Sequence, residues 1–169
     1  MKKFFKNRSI KKLTANLSSR KFEGLDKAKS LLVLFRNETS EKSSLVKSLE
    51  IKFSKYDLKI DFIGYLPIKL EKGAKSITGY FYKNQLNWLG FPNEAIAQDL
   101  TNKEYDVIID LDEELESPNN FILLSTKAGI RVGINKQKNI YDLTVEKATN
   151  SEVSLVNEIE FYLKNIVKA

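Results

Sequence analysis

The chain has 169 residues, of which 42% are hydrophobic and 30% charged, one globular domain's worth of ordinary composition. It contains no Cys and no His, which excludes thiolate nucleophiles, zinc–thiolate centres, Ser–His–Asp triads and His-based metal sites. The net charge of +6 is lopsided, because residues 1–22 hold eight basic side chains and no acid.

Those eight are Lys2, Lys3, Lys6, Arg8, Lys11, Lys12, Arg20 and Lys21. Ile10, Leu13 and Leu17 recur among them at helical spacing, which predicts a helix with one narrow apolar stripe, and Phe4 and Phe5 project away from that stripe. The segment reads as a basic helical extension over residues 1–24, ahead of one domain over 25–169. Its lysines interrupt the place where the apolar core of a signal peptide would sit, and no apolar run approaches the roughly 20 residues that span a bilayer. A cytoplasmic location is expected. Functionally the helix is either an arm that docks on phosphates, of RNA or of anionic lipid, or a solvated helix whose stripe packs on the domain.

Ser30–Phe35 is an unbroken apolar run, the pattern of a central parallel strand buried on both faces. A polar loop, Arg36–Ser40, follows, with Thr39 or Ser40 placed to cap a helix carrying Leu45, Val46, Leu49 and Phe53. Leu58–Gly64 reads as the next strand, completing a βαβ unit. Ile77–Tyr82 alternates as an edge strand would, and Phe91-Pro92 reads as the start of a short helix through Leu100. Tyr105–Leu111 is a further buried strand. Ser117 and Pro118 open a helix over the apolar residues 121–124, with Gly129 just past its end, and Ile130–Ile134 returns as a strand. Ile140–Val145 is weakly strand-like. Thr149-Asn-Ser-Glu152 matches a capping box for a last helix with the stripe Leu155, Val156, Ile159, Tyr162, Leu163 and Ile166. The alternation predicts an α/β three-layer sandwich with a mostly parallel sheet of about five strands, in Rossmann-like or flavodoxin-like order.

In such sheets ligands bind beyond the strand C-termini, where the strand order reverses. The loops expected there supply Arg36, Asn37, Thr39 and Ser40 from one side, and Asp110 and Asp112 from the other. The first loop has no glycine, and neither G-x-G-x-x-G nor G-x-x-x-x-G-K-[ST] occurs in the chain, which disfavours the usual dinucleotide and ATP sites. Asp110 and Asp112 have the hard oxygens that Mg²⁺ prefers. The pair is similar to the D-x-D of haloacid-dehalogenase-type phosphatases and of some glycosyltransferases, with Glu113 and Glu114 where the phosphatase motif has small residues. The alternative is that these acids cap the next element and pair with Arg36, Lys127 or Arg131. Tyr80, Phe81, Tyr82, Trp88 and Phe91 form either a stacking platform for bases or a sugar, or core beneath a long connection.

Tyr105–Leu111, Ala128-Gly129 and Ile130–Gly133 resemble a strand–helix–strand stretch of heptosyltransferase-type glycosyltransferases. Those enzymes carry a second Rossmann-like domain for the sugar nucleotide, and the chain ends before one begins, so the resemblance implies a shared half-fold. The basic start, Leu86–Gly90, Tyr105–Leu111, Ala128–Gly133, Tyr141–Leu143 and the last helix together resemble an uncharacterised family of small α/β proteins of Bacteroidetes-type bacteria. That resemblance supplies no catalytic residues. With no complete catalytic motif, the leading expectation is a non-enzymatic binding or adaptor protein, without a cofactor, that contacts RNA or a ribonucleoprotein through the eight basic residues. The alternatives are an Mg²⁺-dependent nucleotide-sugar or phosphate-ester enzyme using Asp110 and Asp112, and a peripheral protein on an anionic membrane.

Overall fold

A computed structural model of the protein describes residues 1–17, 20–134, 139–147 and 151–167, apart from the side chains of residues 100 and 101. The elements run α1 (Lys2–Ala15), β1 (Ser30–Arg36), α2 (Ser44–Phe53), β2 (Lys59–Leu66), β3 (Tyr80–Tyr82), α3 (Glu94–Thr101), β4 (Glu104–Asp110), α4 (Asn119–Ser125), β5 (Lys127–Ile134), β6 (Leu143–Val145) and α5 (Glu152–Asn165). All six strands are parallel, in the order β3-β2-β1-β4-β5-β6. This is the Rossmann order and not the flavodoxin one, and the chain reverses direction across the sheet between β1 and β4. The sixth strand is the weak segment 140–145, which contributes three residues beside Val132–Ile134.

Both faces of the sheet are covered, which is why its central strands are apolar without alternation. Leu31, Val33 and Phe35 point to one face, where Val46, Leu49 and Phe53 of α2 meet Leu155, Val156, Ile159 and Leu163 of α5. Leu32 and Leu34 point to the other, against Ile122–Leu124 of α4, with Ile96 of α3 and Ile10, Leu13 and Leu17 packed around them. The stripe expected on the N-terminal helix is therefore spent on the domain, and α1 lies along α4. From its end, Arg20 N donates to Ala128 O at 2.8 Å, and Phe22 and Leu25 enter the core before β1 begins.

Several local expectations move. The cap of α2 is Ser43, whose Oγ accepts from Val46 N, and not Thr39 or Ser40, which lie exposed in the preceding loop. The cap of α3 is Asn93, so Pro92 sits before the helix, in a bridge with Leu86. The expected strand 77–82 shortens to Tyr80–Tyr82 at the sheet edge. Gly129 does not end α4. That helix stops at Ser125, and Gly129 lies inside β5, where a Cβ would come within 2.5 Å of Asp106 O. α5 is capped by Ser151, which accepts from Ser154 N at 3.2 Å; Thr149 of the expected capping box lies outside the described residues.

Candidate polyanion interface

At the strand C-termini, where the order reverses, Asp110 and Asp112 are fully buried and engaged. Asp110 Oδ1 accepts from Asp112 N at 3.0 Å, and Oδ2 accepts from Tyr141 OH at 2.5 Å. Burial first, then the Asp110 charge, raises the Tyr141 phenol far above its ordinary range, so it stays a donor to Asp110. Asp112 Oδ1 accepts from Glu114 N at 3.0 Å, and Oδ2 from the Ser117 hydroxyl and from Asn119 Nδ2 at 3.1 Å. Asn119 Nδ2 also reaches Phe35 O at 2.9 Å, tying the loop after β4 to the end of β1. Each carboxylate oxygen thus has a donor from the protein itself, the arrangement of a loop clamp and not of an open ligand set for Mg²⁺.

Of the other expected crevice residues, Arg36 reaches the same loop, Asn37 is held within its own, and Thr39 and Ser40 lie exposed. Arg36 pairs with Glu114, lies 3.7 Å from Glu38, and stacks over Tyr65; Asn37 Nδ2 donates to Glu41 O at 2.6 Å. A shallow crevice of about 330 Å³ remains, lined by Arg36, Leu111, Glu113, Glu114, Lys147 and Glu152. With Asp112 at its floor, four carboxylates face two cations there, which opposes a phosphate, and no glycine lets the backbone wrap one. Lys127 does not serve the aspartates as expected. Lys127 pairs with Glu104 at 3.0 Å. Arg131 is buried beneath the end of α4, where its guanidinium donates to Leu123 O at 3.3 Å and Thr126 O at 2.7 Å. Burial pulls it below its ordinary value, against the charge of Asp142.

A second concavity, of about 680 Å³, was not visible in the sequence. It lies along Ile60–Ile63 of β2, which pair with β1 on one side but whose outer edge β3 leaves open, because β3 pairs only with Gly64–Leu66. Among its polar groups, Asp61 accepts from Tyr105 OH at 2.6 Å and lies 3.3 Å from Lys103. Burial raises its carboxyl, but those donors outweigh it and hold the group below the usual carboxylate value.

The eight basic residues divide into two sets. Arg20 lies 3.6 Å from Glu104 and 3.7 Å from Asp106, and Lys21 pairs with Glu23 at 2.9 Å. Lys6 Nζ donates to Glu116 O at 3.2 Å, across to the loop before α4. These three fasten α1 and the segment after it. Lys2, Lys3, Arg8, Lys11 and Lys12 are exposed, and among the described residues no carboxylate lies within ion-pair distance of them. Arg8, Lys11 and Lys12 lie on the helix face opposite Ile10, Leu13 and Leu17. The result is a docked helix with a cationic outer face.

The aromatic stretch also divides. Phe81, Tyr82 and Phe91 are buried and Tyr80 is half-buried, so most of it is core. Trp88 is 63% exposed and meets α1: its ring lies 5.9 Å from that of Phe5, edge to face, and Phe5 lies 5.8 Å from Phe4.

The strand order and the two covered faces define a Rossmann-type three-layer domain, one whose reversal point is closed by its own side chains and whose added N-terminal helix carries a cluster of exposed cations. Residues 2–166 match the family of unknown function DUF6913, and the chain belongs to that family. No curated protein and no solved structure gives a significant match. Among the described residues, no helix is long and apolar enough to cross a membrane.

Proposed function

We propose that the protein is a binding module that holds RNA, free or within a ribonucleoprotein, on the outer face of α1. The observation that carries this is the pairing pattern of α1: five exposed cations without a carboxylate partner among the described residues, Arg8, Lys11 and Lys12 opposite the stripe and Lys2 and Lys3 at the free end, on a helix anchored to the domain by that stripe. Cations on a docked helix are pre-organised, and they lose less freedom on binding than cations on a free arm. Contacts from such side chains go to phosphates and carry no sequence information, so affinity without base selectivity is the expected behaviour. What favours a polymer over a lipid surface is that Ile10, Leu13 and Leu17 are committed to the core, so α1 lacks the continuous apolar stripe along its length that an interfacial helix lays into a bilayer.

This reading places the protein in the cytoplasm, where RNA is met. It also treats the likeness of residues 105–134 to heptosyltransferases as a shared half-fold without the chemistry. The test is charge reversal of Lys3, Arg8, Lys11 and Lys12 to Glu in the full chain, followed by co-sedimentation with RNA and a circular-dichroism check of the fold. Loss of RNA from the folded variant is expected. Retention equal to the wild type would remove the proposal.

A further inference from the structure

Resting on that reading, we propose that the polyanion is single-stranded nucleic acid, and that Trp88, with Phe4 and Phe5, is the platform on which its bases stack. Single exposed apolar residues need no explanation, but Met1, Phe4, Phe5 and Trp88 are 98%, 66%, 40% and 63% exposed, and the three rings run in consecutive contact. This is a patch, and its rim is cationic.

The loop that carries Trp88 is built to hold it out. Leu86 and Pro92 bridge its base. Asn87 N donates to Phe91 O at 2.7 Å, and Gly90 N returns to Asn87 O at 2.9 Å. Asn87 Oδ1 accepts from Leu89 N at 2.9 Å and from Phe91 N at 3.2 Å. Gly90 takes φ +83°, which a side chain would resist, and the buried ring of Phe91 packs on Phe121 at 5.1 Å. The turn is therefore rigid and fastened to α4, while its tip presents an indole to solvent beside the first turn of α1. A ring held this way stacks without paying the entropy of being ordered.

The charges stand where a stacked strand would need them. Phe4, Arg8 and Lys11 follow one another at i, i+4 and i+7, on one face of α1, with Lys12 beside them. From Phe4 to Lys12 the helix rises about 12 Å. Bases on the rings at the tip leave the phosphates to run along the cations. A duplex offers those cations its backbone but keeps its base faces inside, so the rings separate the two forms. An anionic bilayer would also meet rings and lysines, but it would need no ordered turn to display one indole.

The chain has a single Trp, so its fluorescence reports this surface alone. The experiment titrates the full chain with a short oligouridine, with an RNA duplex of equal length, and with phosphatidylserine-containing vesicles. It is repeated for Trp88→Ala and Trp88→Phe using labelled oligouridine, after thermal unfolding has shown both variants folded. Quenching by oligouridine is expected. Trp88→Ala should weaken oligouridine binding about tenfold while duplex binding stays unchanged, and Trp88→Phe should restore most of the loss. Oligouridine binding unchanged in Trp88→Ala, or a blue shift with vesicles and no response to oligouridine, would overturn the inference. Duplex binding that survives Trp88→Ala but not the α1 charge reversal would leave the phosphate reading standing. No binding to either RNA would remove both.

Discussion

Replacing Asp112 by Asn separates a loop clamp from a metal site with almost no change of shape. In the wild type, Asp112 is 3% exposed and accepts hydrogen bonds from Glu114 N, the Ser117 hydroxyl and Asn119 Nδ2. An amide in its place keeps one acceptor and turns an NH₂ toward donors. The hydroxyl of Ser117 can rotate to accept, but Asn119 Nδ2 cannot, and it keeps only Phe35 O. Hydrogen bonds to a charged group contribute about 1.5–3 kcal/mol each, and an unsatisfied buried donor costs about 1–3 kcal/mol. With one such donor lost outright and the others weakened, we expect a destabilisation of about 2–3 kcal/mol. For a domain of this size that lowers the melting temperature by roughly 5–10 °C. The assay is thermal and urea denaturation followed by far-UV circular dichroism, with and without Mg²⁺. A loss under about 0.5 kcal/mol, the scale of an ordinary surface change, would refute the clamp. So would Mg²⁺-dependent stabilisation of the wild type that is absent from Asp112→Asn, because ligands stabilise the state that binds them.

Two further predictions concern stability. Glu160 on α5 accepts from Tyr56 and lies 2.5 Å from Lys55 and 3.5 Å from Lys52. Burial raises its carboxyl, but the Lys55 and Tyr56 hydrogen bonds and the two lysine charges outweigh that, and they hold it at about 2. A depressed folded value means that its stabilisation is fully present above the unfolded value of about 4.3 and is lost as pH falls toward 2. Glu160→Gln should be less stable at neutral pH and should lose less between pH about 5 and 2. Parallel pH profiles from urea denaturation of the two proteins would contradict this. Gly129→Ala should destabilise by about 1–3 kcal/mol or more, because its Cβ meets a backbone oxygen that cannot swing away. Urea midpoints measure it, and an unchanged midpoint would mean that β4 and β5 separate more easily than their packing implies.

The parts of the fold that could be read from sequence are those where local pattern and tertiary demand agree. Leu31–Phe35 is apolar at every position because helices cover both faces, and Leu155–Leu163 repeats at helical spacing because only one face of α5 is buried. Misreadings came where one local signal has two uses. Gly129 after an apolar run looks like a helix terminator, yet its reason is the closeness of Asp106 on the neighbouring strand. Thr39, Ser40 and Ser43 are all competent caps, and the packing of Val46 and Leu49 selects Ser43. In the site, the charge of α1 was legible from composition, but its division was not, because the partners of Lys6 and Arg20 lie 110 and about 84 residues away in the chain. The contact of Trp88 with Phe5 has no periodicity that could announce it. The closure of the crevice by Tyr141 and Asn119 is likewise a product of strand order.

The number of ions released on binding tests the account most directly. Five cations with no carboxylate partner among the described residues, Lys2, Lys3, Arg8, Lys11 and Lys12, each neutralising one phosphate of a single strand, give a slope of about −3.5 for log K against log salt concentration. Measured by fluorescence anisotropy with labelled oligouridine, that slope should fall to about −0.7 in the variant with Lys3, Arg8, Lys11 and Lys12 reversed, if any binding persists. A wild-type slope near zero, or one that the reversal leaves in place, would mean that the outer face of α1 is not where the phosphates sit.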